Sequence, residues 1–136
     1  MTTLYKLTDE NGYTSAGRDN ACLWGEGVSH SGTGEGDLYG PGWMHAYEHP
    51  LLALVLNPIH GDIVNPRLWI AEGQIAKREG QMKVGCKTLT TLHEIPLPVI
   101  STAARVRFAI LCAKAVYTEP SWTAWADGWL SGEDRT

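Results

Sequence analysis

"RLWIAEGQIAKREGQMKVGCKTLTTLHEIPLP" runs from Arg67 to Pro98. Arg67–Ala76 and Gln81–Pro98 are apolar and β-prone, and "KREGQ" (Lys77–Gln81) parts them with charge and a glycine, so the segment reads as a β-hairpin. Beyond it, Ser101 stands as an N-cap before "TAARVRFAILCAKAVY", which predicts a helix over Thr102–Tyr117. Thr118-Glu119-Pro120 restarts a second helix, with Trp122, Trp125 and Trp129 at helical spacing. Ahead of the hairpin, Thr3–Asp9 reads as a first strand and the Asn-Gly of "ENGY" as a turn. Ala21–Ser31 reads as a second strand, with Gly25 and Gly27 marking a bulge or a close backbone approach. Gly32–Gly42 is a loop, and "WMHAYEH" (Trp43–His49) alternates as a strand. Pro50 opens a short helix, "PLLALVLNP", closed at Asn57-Pro58. The expected fold class is α+β: a mostly antiparallel β-sheet with a short internal helix and a C-terminal helical pair. A single domain is expected over residues 1–136, mainly β over 1–98 and helical over 101–130.

Charge narrows the function classes. A net charge of -4 on 136 residues gives no basic surface for a nucleic-acid backbone, so no DNA or RNA polymer is expected as partner. A small anion needs only a few local cations and stays open. No apolar run approaches the roughly 20 residues of a membrane span, and "MTTLYKLTDENG" has no signal-peptide pattern, so neither membrane nor leader is expected. Cys22, Cys86 and Cys112 are odd in number and widely spaced, which fits a reducing cytoplasm better than a disulfide framework.

Metal and catalytic motifs fail on spacing. "GWMHAYEHPLLALVLNPIHG" (Gly42–Gly61) holds His45, His49 and His60, yet Pro50 disfavours helix at His49 and the Glu of H-E-x-x-H is missing. Hydrogen-bonded structural histidines are the expectation, with no metal and no cofactor. "GQMKVGCKT" (Gly80–Thr88) misses a P-loop because Cys86 stands between Gly85 and Lys87 and no helix follows. "SGTGEG" (Ser31–Gly36) lacks the βαβ unit of a dinucleotide fold. No nucleophile elbow or carboxylate pair is legible, so no catalytic residue is expected.

The candidates are therefore binding residues. Lys83 and Lys87 alternate with Val84 and Cys86 and project to one face, either solvated or in contact with an anion. Arg105 and Arg107 occupy the first two turns of the helix predicted over Thr102–Tyr117, where the dipole disfavours cations and a phosphate would be welcome; they point about 200° apart. At least one is expected on a ligand phosphate, helped by Lys83, Lys87 or the hydroxyls of Thr88 and Thr90. Trp24 and Trp69 are the candidate base-stacking rings among the sheet tryptophans.

Taken in order, "LYKLTDENGYT", "LWGEGVSHSGTGEG", "GWMHAYEHPLLALVLNPIH", "KVGCKTLTTLHEIPLP" and "RVRFAILCAKAVY…WADGWLSGEDRT" resemble the first-described family of Thoeris anti-defence proteins, small phage signal sponges. The resemblance covers nearly the whole chain. It implies a non-enzymatic protein of the infected bacterial cytoplasm that captures the cyclic ADP-ribose isomer made by a TIR protein. Some members also bind cyclic oligonucleotides in separate pockets. It implies dimers, assembling further into hexamers, with pockets at subunit junctions. Gly42–Gly61 would then be a strand-to-helix structural segment with some pocket-lining side chains. Six Trp in so small an acidic chain independently point to a homo-oligomer. The rival readings are a nucleotide-acting phosphodiesterase or ADP-ribose hydrolase, and a small phage protein-binding inhibitor whose interface is the Trp-rich end.

Overall fold

The computed structural model describes residues 1–133 and 135. The chain divides into two compact units, Met1–Pro98 and Val99–Thr136. The fold is α+β, and every strand pair is antiparallel.

The first unit is built on the hairpin β6 (Arg67–Glu79) and β7 (Lys83–Ile95). Gly80 takes φ 53° at the turn, a left-handed conformation that glycine adopts without Cβ strain. Strand β1 (Thr2–Thr8) pairs with β6, Leu4 opposite Ala71 and Lys6 opposite Trp69. On its other edge β7 takes β4 (Val28–Ser31) and β5 (Met44–Ala46) end to end. Just past β5, Tyr47 exchanges two backbone hydrogen bonds with Tyr5, at 2.8 and 2.9 Å. Pairing thus runs β1–β6–β7–β5 and back to β1, closing a small circuit and leaving fewer open edges. Leu4, Trp24, Ala46, Ala71, Val84, Cys86 and Leu89 form the core of this unit.

Three register shifts interrupt the hairpin. Between the pairs Gly73–Leu89 and Ile75–Cys86, β6 advances two residues and β7 three, so the alternation of β7 resets. Val84 and Cys86 are buried before the shift, Leu89 and Thr91 after it. Gly73 sits at the crossing point: a Cβ there would lie 2.9 Å from Cys86 Sγ and 3.0 Å from the Thr88 carbonyl oxygen.

Two sequence expectations need correction. Ala21–Ser31 is not one strand. Cys22–Leu23 (β3) pairs with Tyr13–Thr14 (β2) in a separate two-stranded sheet, and Gly27, at φ 68°, turns the chain before β4 joins β7. Nor does the helix opened by Pro50 end the helical stretch at Asn57-Pro58. After α1 (Pro50–Val55), a second short helix, α2 (Asn57–His60), begins there, because Pro58 sits in its first turn where no donor is needed. The Asn57 side chain then holds Ile63 through both its N–H and its C=O.

The loop 32–42 is compact. A Cβ at Gly42 would fall 1.9 Å from the Glu35 carbonyl oxygen, and one at Gly32 would fall 2.2 Å from the Gly42 oxygen. No side chain fits at either position. Trp43 ties the loop down by donating its indole N–H to the Gly36 carbonyl at 3.0 Å.

The second unit is a helical pair, α3 (Thr102–Lys114) and α4 (Pro120–Ser131). Ser101 caps α3 by accepting from the Ala104 N–H at 3.0 Å. The helix stops one turn short of Tyr117. Glu119 caps α4, accepting from the Ser121 hydroxyl and from the Trp122 and Ser121 N–H groups, and these bonds, the hydroxyl's first, hold its carboxyl below the usual carboxylate range. Arg107 donates to the Leu130 carbonyl at 3.2 Å, in the last turn of α4. A cation that meets an unfavourable dipole on its own helix thereby serves the favourable end of the next one. Lys114 pairs with Asp127 across the same two helices.

Candidate functional site

A cavity of about 670 Å³ opens in the first unit. Its walls come from four places: Lys6 of β1, the 13–24 segment, the tip of the 32–42 loop at Tyr39, and the stretch from Trp43 to Ile63. Lys83, at the start of β7, completes it.

Lys6 shares the strand face of Leu4, which is fully buried, and lines the cavity. It donates to the His45 carbonyl at 2.6 Å and lies 5.3 Å from the Trp24 ring centre. Among the described residues no carboxylate pairs with it. Burial, and then the neighbouring Lys83, pull its pKa down to about 8. Lys83 stands 5.0 Å from the Tyr39 ring centre, and burial lowers its pKa too, against the pull of Glu79.

The two histidines of the cavity are both engaged. His45 Nε2 bonds the Leu38 carbonyl, and His60 Nδ1 accepts from the Tyr47 hydroxyl at 2.6 Å. Burial holds His45 near pKa 4, and burial with Lys83 lowers His60. Burial raises the Tyr47 hydroxyl to about 12, so it keeps its proton and donates. Near neutral pH the cavity therefore presents neutral imidazoles and a phenol as hydrogen-bonding groups, beside two ammonium groups. Tyr39 bridges this set, 6.2 Å from His45 and 6.0 Å from His60 between ring centres, and it is 54% exposed. It offers the most open aromatic face of the site.

Charge on the walls is one-sided. Lys6, Arg18 and Lys83 face a single carboxylate, Asp9. Asp9 Oδ1 is already taken by the Asn11 and Tyr13 N–H groups, at 2.9 Å each. Lys6 is withdrawn from water with no ion pair among the described residues, and Lys83 feels Glu79 without an ion pair to it, so charge in the empty site costs free energy that a bound anion would offset.

The sequence candidates fall in different places. Lys83 and Trp24 line the cavity; Lys87, Thr88, Thr90 and Trp69 do not. Lys83 and Lys87 do not share a site, because Trp43 packs over Gly85 between them: a Cβ at Gly85 would lie 3.1 Å from Trp43 Cβ. Lys87 instead lies along Gly34 of the loop. Thr88 and Thr90 bond Ser31 and Ser29 of β4, at 2.7 and 2.5 Å, off the core face. Trp69 is buried, donates to Thr8 Oγ1 at 3.0 Å and is covered by Arg67 at 4.7 Å, so its ring has no room for a base. Trp24 is only 3% exposed and serves as wall rather than as stacking platform. Arg105 and Arg107 stand on α3 of the other unit, Arg105 exposed and Arg107 held by Leu130. Sequence reasoning did not single out Lys6, Tyr39, Tyr47 or Arg18. His49, the third histidine of the cluster, accepts from the Leu51 N–H at the start of α1. Among the described residues no group of three or more His, Cys, Asp or Glu converges as metal ligands.

These shifts set the pH dependence of stability. His45 titrates near 6.5 when unfolded and near 4 when folded, so between those values the unfolded chain binds more protons. Stability is expected to fall as pH drops from about 6.5 toward 4, by about 1–3 kcal/mol from this group. Lys6 acts in the same sense at higher pH: stability rises from about pH 8 toward 10.5 as the unfolded chain continues to hold a proton the folded one has released. Urea midpoints measured across the acid range in the protein and in His45→Gln check the first part. An equally steep acid loss in the variant would remove His45 as its cause.

No helix among the described residues is long and apolar enough to cross a membrane. No family model matches the chain, and no curated protein or solved structure matches it.

Proposed function

We propose that the protein binds and sequesters a cyclic nucleotide signal, the cyclic ADP-ribose isomer of Thoeris-type immunity, without cleaving it. The observation that carries this reading is the cavity lined by Lys6 and Lys83, neither in an ion pair among the described residues, with Lys83 against the open ring of Tyr39. Phosphate oxygens answer the ammonium groups, and a base answers the aromatic ring. The volume falls within the roughly 300–1,000 Å³ of small-molecule sites. The motif order that resembles the anti-defence sponges supports the same reading, and with it a phage protein working in the host cytoplasm. Cyclic oligonucleotides share the phosphate-and-base chemistry and form a second ligand class.

Calorimetric titration with the cyclic ADP-ribose isomer, followed by denaturation and mass analysis of the released ligand, tests this. Saturable binding with intact ligand recovered is expected. Recovery of a converted product would make the protein an enzyme instead, and absence of binding to any cyclic nucleotide would end the proposal.

The working form is a homo-oligomer, a dimer able to build a hexamer. The helical unit supports this, since it buries few apolar side chains: Leu111 is 48% exposed, Val116 85% and Tyr117 50%. Light scattering at micromolar concentration is expected to give a multiple of the chain mass, and the mass of a single chain would count against it.

A further inference from the structure

We infer that Lys6 is an imine-forming amine, and that the cavity also takes small phosphorylated aldehydes, with Lys83 holding the phosphate. The inference rests on the same cavity as the nucleotide reading but asks for different chemistry.

Three features single out Lys6 among the five lysines. It lines a cavity large enough for a small molecule and sets its Nζ on the carbonyl of His45, another lining residue, while Lys77, Lys87 and Lys114 do not line it. Among the described residues no carboxylate pairs with it; its one hydrogen bond, to the His45 carbonyl, fixes the direction of the amine and leaves the rest of its valence free. A second ammonium, Lys83, stands on the same walls, so the first is pressed toward its neutral form while the second remains to receive an anion. An amine made neutral by burial and by a neighbouring cation is how a lysine becomes a nucleophile near neutral pH. A pKa near 8 leaves a useful neutral fraction at pH 7.5.

The chemistry balances without an oxidant or reductant. The lone pair of the neutral Nζ adds to the aldehyde carbon, forming a C–N bond and a carbinolamine. A water molecule then leaves, carrying the former carbonyl oxygen and the two amine protons, and a C=N bond remains. The reaction is reversible by the same water. Ligands of this class include the open-chain form of any ribose phosphate whose anomeric carbon is unsubstituted.

Pyridoxal 5'-phosphate is the probe. The full chain is incubated with it at pH 7.5, trapped with borohydride, digested and mapped. The expected result is a secondary amine on Lys6, at least about tenfold above that on Lys77, Lys87 or Lys114. Lys83→Met removes the neighbouring cation for both aldehydes but the phosphate partner for one, so it is expected to slow labelling by pyridoxal 5'-phosphate about tenfold more than labelling by unphosphorylated pyridoxal. Even labelling of all lysines, or a map without Lys6, would overturn the inference, and so would equal effects of Lys83→Met on the two aldehydes. The map of the unsubstituted chain needs no variant to fold. Cyclic nucleotide binding is read separately by calorimetry: nucleotide binding with an unlabelled Lys6 sinks the imine alone, and a labelled Lys6 without nucleotide binding sinks the nucleotide reading alone.

Discussion

Lys83→Glu is expected to weaken binding of the cyclic ADP-ribose isomer by about 100-fold or more, whereas Lys87→Glu, four residues along the same strand, should change it by less than about threefold. The two substitutions make the same change in net charge. They differ in place: Lys83 lines the cavity beneath Tyr39, and Lys87 lies outside it along Gly34. Losing a charge-assisted hydrogen bond removes roughly 1.5–3 kcal/mol, and the new carboxylate adds repulsion toward a phosphate. After burial, Lys83 is the next cause that depresses Lys6, so reversing its charge also changes the field at that second ammonium. Calorimetry on both folded variants decides the matter. Equal losses would mean that the ligand answers to overall charge and not to this cavity, and no loss in either would move the site elsewhere.

Leu4→Ala is expected to destabilise the protein by about 2–5 kcal/mol. Leu4 is fully buried and packs with Ala71, Val84, Cys86 and Leu89 where strands of the closed circuit meet. The space it leaves is ringed by backbone held in sheet pairing, which limits collapse into the gap. Lys6 shares its strand face, so the loss should also loosen the lysine and weaken ligand binding in the folded fraction. Urea unfolding gives the stability change. A shift under about 1 kcal/mol would show that the core relaxes around the site far more than its packing implies.

Local chemistry was legible where a residue acts on its own neighbours. Ser101 caps its helix, Pro50 and Pro120 stand at helix starts, and the β6–β7 hairpin turns at Gly80, because each depends on residues a few positions away. The antiparallel sheet and the C-terminal helical pair follow from the same signals. The strand over Ala21–Ser31 failed because a turn with φ 68° at Gly27 sends its halves to different sheets, and which sheet accepts each half is a long-range choice.

The site was far less legible. Lys83 was found through its alternation with Val84 and Cys86, and that alternation survives only up to the register shift before Leu89. Past it the parity reverses and puts Thr88 and Thr90 off the core face too, but at the other end of β7, where β4 pairs instead of β5 and Ser31 and Ser29 take their hydroxyls. Lys6 did carry a signal, since it alternates with Leu4 in "LYKLT", but Leu7 is buried as well, and two apolar residues of opposite parity hide which face is inside. Tyr39 carried none: it sits in a glycine-rich loop, and its position over His45, His60 and Lys83 depends on Gly42 approaching the Glu35 carbonyl too closely for any side chain. The sequence by itself determined the β6–β7 hairpin, the Ser101 cap, the helix starts at Pro50 and Pro120 and the net charge of -4, because propensity acts over a turn and charge sums over the chain. Only the tertiary structure decided which cations share a cavity, because burial without a carboxylate partner is a property of strands brought together from positions 6, 45 and 83.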